Sequence, residues 1–198
     1  GISINLSGAA SELERTWIAM KNNVMIALFV IFLLLTVLMR SFILPFVIVI
    51  TVPVAAAGGV MGLVILNQFS SQSMDMLTML GFIILTGIVV NNSILMVEQT
   101  LWHIRYDSFN ISDAITEATR NRIRPIFMST LTSLFGLIPL VIFPGAGSEL
   151  YRGIGTVVFG GLSTSAILTL LMVPPLLSLA LKFENIKPIP QVKQEEFV

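Results

Sequence analysis

The chain has 198 residues, of which 55% are hydrophobic and 11% are charged, and its net charge is zero. Soluble domains carry about 25% charged residues, so the composition argues against a soluble core, and the neutral charge argues against a nucleic-acid partner. The lack of cysteine excludes disulfides and thiolate metal sites, and a single histidine cannot form a histidine-rich metal site.

Charged residues are absent from several stretches, each long enough to cross a bilayer, which takes about 20 apolar residues. These stretches do not alternate in polarity as barrel strands would, so we expect helices. The sequence predicts an all-α membrane protein with a five-helix bundle over residues 23–182. A polar segment, 1–22, precedes it as the end of another domain or a linker, and a tail, 183–198, follows. The predicted spans are 23–40, 44–66, 76–98, 125–143 and 154–181.

Basic residues are unevenly divided between the two ends of these spans. One side holds eight of them and the other holds three, Arg15, Lys21 and Arg152. Because cytoplasmic loops are enriched in Lys and Arg, we expect the N-terminus outside and the C-terminal tail in the cytoplasm. The basic residues of the cytoplasmic side are Arg40, Arg105, Arg120, Arg122, Arg124, Lys182, Lys187 and Lys193.

The connection between the third and fourth spans is the longest one. Within it, Ser112–Asn121 has the pattern of a short amphipathic helix on the cytoplasmic surface. Ser112 is its predicted N-cap, and Ala114, Ile115 and Ala118 are predicted to share one face. Pro125 would then occupy the first turn of the fourth span, where its missing N–H does no harm.

Asn91 and Asn92 are adjacent amides in the middle of the third span. One interpretation is that they join helices by hydrogen bonds worth about 1–2 kcal/mol each. The other is that they belong to a proton or ion relay, since polar groups deep in a membrane are costly and often functional.

The fourth span carries further candidates. Arg122 and Ser129 are seven residues apart and so lie on nearly the same helix face, and Thr130 follows in a hydroxyl-rich segment. Simpler interpretations are positive-inside anchoring for arginines and hydroxyl bonds to the preceding helical turn. Glu98 is expected at the membrane interface. With His103 alone in a loop, no catalytic constellation is visible, so we expect no enzyme.

Several ordered motifs resemble those of the RND (resistance–nodulation–division) efflux transporters, in particular the hydrophobe/amphiphile exporter branch. The motifs are Gly87–Glu98, Arg122–Thr130, Gly136–Leu140, and the loop Pro144–Glu149 followed by Gly160 and Gly161. The resemblance implies the last five helices of a twelve-helix transporter, with 1–22 as the exit from a periplasmic domain. It also implies an inner-membrane homotrimer driven by the proton motive force, without a bound cofactor. Its partners would be membrane lipid, its own N-terminal half, a periplasmic adaptor and an outer-membrane channel.

The same resemblance implies that Asn91, Arg122 and Ser129 couple to carboxylates in the first half of the transporter, with Asn92 and Thr130 as further relay candidates. Asn91 departs from the family pattern, in which drug pumps carry lysine there. An amide cannot form an ion pair, but it can hydrogen-bond a carboxyl group in either protonation state. Two alternatives remain open: a related protein- or lipid-export component, and a structural or receptor-like membrane module without transport.

Overall fold

A computed structural model describes residues 7–69, 72, 74–143, 145 and 148–183. This part of the chain is helical and has no strand, which confirms the all-α expectation. The predicted tail, 183–198, lies outside the described residues except for its first residue. The helices are α1 (Ser7–Met39), α2 (Ile43–Val49), α3 (Thr51–Asn67), α4 (Met76–Tyr106), α5 (Ile111–Ile142) and α6 (Ser148–Phe183).

Five helical segments of the described chain are long and apolar enough to cross a membrane, as the hydropathy pattern predicts. They reach beyond the predicted bounds, because a helix continues into polar flanking residues that hydropathy does not register. The polar residues from Ser7 onward likewise belong to α1. The segments are Trp17–Met39, Ile43–Asn67, Met76–Tyr106, Ile111–Ile142 and Leu150–Phe183.

The second crossing consists of two helices, α2 and α3, that meet at Ile50. Pro53 has no N–H and cannot bond the carbonyl of Val49 four residues earlier, so the helical ladder is interrupted there. The Thr51 hydroxyl lies on this break and donates to the Ile48 carbonyl at 2.6 Å. The hydroxyl of this buried threonine is therefore hydrogen-bonded where the two helices meet.

Helix α6 is the centre of the bundle and packs against α2, α3, α4 and α5. Its approach to α3 is close because small residues face each other. A Cβ on Gly160 would lie 2.7 Å from the Gly58 carbonyl oxygen and 2.9 Å from Gly62 Cα. Glycine at such positions lets membrane helices come within backbone contact.

Helix α1 lies at the edge and, among the described helices, packs against α2 and α4 alone. Much of its apolar surface is uncovered, including Met25, Phe29 and Val37, which are 62%, 62% and 78% exposed. Such a surface in a membrane protein is available to lipid or to another protein helix.

The predicted long loop between α4 and α5 is wrong. Helix α4 continues to Tyr106 and α5 begins at Ile111, so only four residues connect them. Ser112–Asn121 is therefore not a separate helix but the first turns of α5. Asn110 takes the N-cap place instead of Ser112, and Pro125 lies inside α5. The predicted buried face is confirmed, since Ala114, Ile115 and Ala118 are buried.

His103 corrects a second expectation, because it lies within α4 and has an acidic neighbour. Its Nδ1 is 2.7 Å from Asp107 Oδ2, and its ring stacks on Phe109 with the centroids 5.6 Å apart. Ser108, between these two partners, adopts a positive φ of 55°. The pair and the stacking together hold the tight turn between the helices.

Candidate functional site in the middle of the bundle

Asn91 is the central residue of the 31-residue helix α4. It is exposed and Asn92 is half-buried. Neither amide side chain has a hydrogen-bond partner in the described part of the chain. An unsatisfied amide in hydrocarbon costs several kcal/mol, roughly 4–8 by transfer to an apolar solvent. The surface around Asn91 is thus suited to contact with a polar partner that this part of the chain does not supply.

Ser93 points away from Asn91, because residues two positions apart on an α-helix are rotated by about 200° from each other. It is fully buried, and its Oγ lies 3.1 Å from the Oγ1 of the buried Thr51. Ser93 also donates to the Val89 carbonyl at 3.0 Å. A side-chain contact between helices, the kind that one of the two interpretations expects of Asn91 and Asn92, is therefore found at Ser93 and Thr51.

The sequence analysis does not predict the Ser93–Thr51 contact. The one indication in the sequence is that Ser93, a further polar residue in the span, directly follows the two asparagines. Thr51 is 42 residues away, on a helix whose rotation relative to α4 the sequence pattern does not specify.

Arg122 is half-buried, and its Nε is buried without a hydrogen-bond partner in the described part of the chain. A guanidinium N–H held away from water calls for an acceptor, and a carboxylate is the strongest one available in proteins. No hydrogen bond joins Arg122 to Asn91 or Ser129 within the described residues. Arg122 can therefore donate to a carboxylate that comes from outside the described part of the chain.

Ser129 and Thr130 face different surroundings. Ser129 is exposed and donates to the Ile126 carbonyl at 3.1 Å, which confirms the bond to the preceding turn. Thr130 is buried, with 6% of its surface exposed. The structure thus leaves Ser129 accessible with Asn91 and places Thr130 in the packing of the bundle.

Two glycines accompany the exposed polar residues, Gly87 four residues before Asn91 and Gly136 seven residues after Ser129. A Cβ on either glycine would meet nothing within 4 Å. This contrasts with Gly62 and Gly160, where an added Cβ would meet neighbouring backbone. Small residues next to polar ones on an open helix face are suited to the close approach of a further helix.

Comparison with known proteins identifies the family. The family model described as AcrB/AcrD/AcrF family matches residues 1–180. The chain belongs to this family. The family is one of RND transporters, as the motifs indicated, and this member is a multi-pass membrane protein.

Two relatives of this AcrB/AcrD/AcrF family member have descriptive names. The swarming motility protein SwrC of Bacillus subtilis is 29% identical over 188 residues, covering 94% of this chain and 17% of SwrC. The multidrug resistance protein MdtC of Erwinia amylovora is 33% identical over 170 residues, covering 86% of this chain and 16% of MdtC. The chain thus spans about a sixth of the length of these relatives.

Proposed function

We propose that this chain is the C-terminal membrane part of a proton-driven RND exporter of hydrophobic or amphiphilic compounds, and that it takes part in the proton relay. One observation carries the proposal: in a member of a transporter family, Asn91 and the buried Arg122 Nε have no hydrogen-bond partner in the described part of the chain. Costly polar groups of this kind are functional-site candidates in membrane bundles.

In this proposal Arg122 supplies the cation of the relay. Family drug pumps carry a lysine where this chain has Asn91, so the positive charge that balances the relay carboxylates must come from another residue. Arg122 is always protonated and can bind a carboxylate through two parallel N–H bonds. A carboxylate from the first half of the transporter would satisfy the Nε that is orphaned here.

Asn91 acts as a neutral hydrogen-bonding group in the same relay. Its amide N–H₂ donates to a carboxylate, and its amide oxygen accepts from a protonated carboxyl group. The amide therefore stays bonded to the acidic partner before and after proton transfer. Ser129 adds an accessible hydroxyl, and Asn92 and Thr130 have supporting positions beside these groups.

The surroundings of the transporter are part of the proposal. The distribution of eight and three basic residues supports a cytoplasmic C-terminus. We place the protein in the bacterial inner membrane as a homotrimer with a periplasmic adaptor and an outer-membrane channel. Gly87 and Gly136, with open space beside them, would receive helices of the first half.

Family membership and the relative named for multidrug resistance support the proposed substrate class. A second candidate is export of a lipid or protein component, which the relative named for swarming motility favours. In either case the segment moves protons rather than performing catalysis on its substrate. A purely structural membrane module gives no reason for the buried Arg122 Nε to lack a hydrogen-bond partner among the described residues.

The proposal is tested by ethidium accumulation in cells that lack their own exporters and express the full-length protein containing this segment. We expect lower accumulation than in cells with an empty vector, and loss of this difference in Asn91→Ala and Arg122→Ala variants at equal membrane abundance. Gly155→Ala, outside the relay, serves as the control and should export like the wild type. Undiminished export in both relay variants would contradict the relay.

The same cells also separate the candidate functions. Accumulation of ethidium, novobiocin and deoxycholate that equals the empty-vector level would contradict multidrug export. If the protein then restored swarming in a motility-deficient host, this result would support export of a lipid or protein component.

A further inference from the structure

Glu98 lies on the same face of α4 as Asn91. The two residues are seven positions apart, which is two helical turns and about 20° of rotation. At 1.5 Å per residue they are about 10.5 Å apart along the helix axis. Glu98 is exposed, and its carboxylate has no hydrogen bond or ion pair in the described part of the chain.

Glu98 marks the predicted end of the third span, and helix α4 continues for two further turns beyond it to Tyr106. The glutamate directly follows the charge-free stretch 76–97. Glu98 is therefore the first charged residue after the apolar part of α4.

A cavity of about 250 Å³ adjoins this carboxylate where the ends of α1 and α4 meet. Its α4 wall includes Glu98, Trp102, Arg105 and Tyr106, and its α1 wall is Leu38 and Met39. A water molecule takes about 30 Å³ in the liquid, so several waters fit. Arg105 and Tyr106 are the other titratable groups of the lining, and the α1 wall has none.

We propose that Glu98 transfers protons between the mid-membrane relay and the cytoplasm, an inference that rests on the proposed function. The Glu98 carboxylate accepts a proton from a relay carboxyl group through bridging water and becomes neutral. It then gives the proton to a cavity water and returns to the carboxylate form. The 10.5 Å to Asn91 corresponds to about four hydrogen-bond links of 2.8 Å, which a short chain of waters provides.

The test uses the full-length transporter in vesicles of phosphatidylethanolamine and phosphatidylglycerol with a pH-sensitive dye inside. Ethidium-coupled proton flux is measured under an imposed pH gradient. Glu98→Gln should lower the flux by about a hundredfold, the size of a positioned proton-transfer group, whereas Glu98→Asp should retain most of it. Glu117→Gln, which removes a carboxylate of α5 that does not line the cavity, is the matched control and should leave the flux unchanged.

Retained flux in Glu98→Asp together with lost flux in Glu98→Gln is the readout that a merely structural role would not give, because glutamine is closer to glutamate in size and shape than aspartate is. Equal loss of flux in both variants would overturn the proposal.

The Asn91→Ala variant distinguishes failure of the Glu98 proposal from failure of the proposed relay. Normal flux in Glu98→Gln together with lost flux in Asn91→Ala would overturn the role of Glu98 and keep the relay. Normal flux in both variants would overturn both. Absence of ethidium-coupled flux in the wild type would contradict the proposed function itself.

Discussion

Replacement of Gly160 by alanine tests whether backbone contact between α3 and α6 holds the bundle together. The added Cβ would lie 2.7 Å from the Gly58 carbonyl oxygen and 2.9 Å from Gly62 Cα. Both neighbours are backbone atoms, so no side-chain rotation can relieve the contact. The two helices must separate locally by about 0.7 Å to reach an ordinary contact of 3.4 Å.

The expected cost follows from a comparison with Gly155→Ala on the same helix. There the nearest atoms are the side-chain tips of Leu140 and Val141 at 3.0 and 3.2 Å, which can rotate away. Both substitutions gain the same helix propensity, about 1 kcal/mol, so this term cancels in the comparison. Overpacking that displaces backbone costs about 1–3 kcal/mol, and Gly160→Ala should be less stable than Gly155→Ala by this amount.

Thermal unfolding of the detergent-solubilised full-length protein, followed by tryptophan fluorescence, measures the difference. We expect the Tm of Gly160→Ala to fall several degrees below that of Gly155→Ala. Equal midpoints for the two variants would refute the reasoning, because they would mean that α3 and α6 do not rely on backbone contact at Gly160.

Two further predictions concern hydrogen bonds between helices. Arg152 Nε donates to the Val141 carbonyl at 2.9 Å and ties α6 to the last turn of α5, so Arg152→Gln should lower stability by about 1–2 kcal/mol; a Tm equal to that of the wild type would contradict this tie. Thr51 and Ser93 each have one hydroxyl proton, and each donates to its own helix, so a Thr51→Val, Ser93→Ala double-mutant cycle should give a coupling of only about 0.5 kcal/mol. A coupling well above 1 kcal/mol would show that one of these protons is shared between the helices.

The crossings of the membrane were predictable because hydrocarbon requires a long apolar helix at each passage. The ends of the helices were not, as α4 shows by continuing past Glu98 to Tyr106. Ser112 has the chemistry of an N-cap, yet the helix begins at Ile111. Local propensity is weak compared with the burial of Ala114 and Ala118 against the bundle, and that burial depends on the fold.

The residues of the candidate site could be predicted from their type. Whether each of them is buried or exposed could not. Asn91, Arg122 and Ser129 were singled out because polar groups are rare in such spans. That Thr130 is buried while Ser129 is exposed depends on how α5 is rotated against its neighbours. The cavity beside Glu98 depends on where α1 ends, which no pattern within α4 contains.

The sequence by itself determined that the chain crosses a membrane five times, and its motifs determined the transporter family, since both depend on residue type and spacing. Only the tertiary structure decided which polar groups are satisfied within the bundle and which remain open. Ser93 donates to the Val89 carbonyl and contacts Thr51, whereas Asn91 and the Nε of Arg122 have no partner in the described part of the chain. The physical reason is that hydrogen-bond satisfaction depends on the rotation and distance of neighbouring helices, and apolar spans of similar composition leave that geometry undetermined.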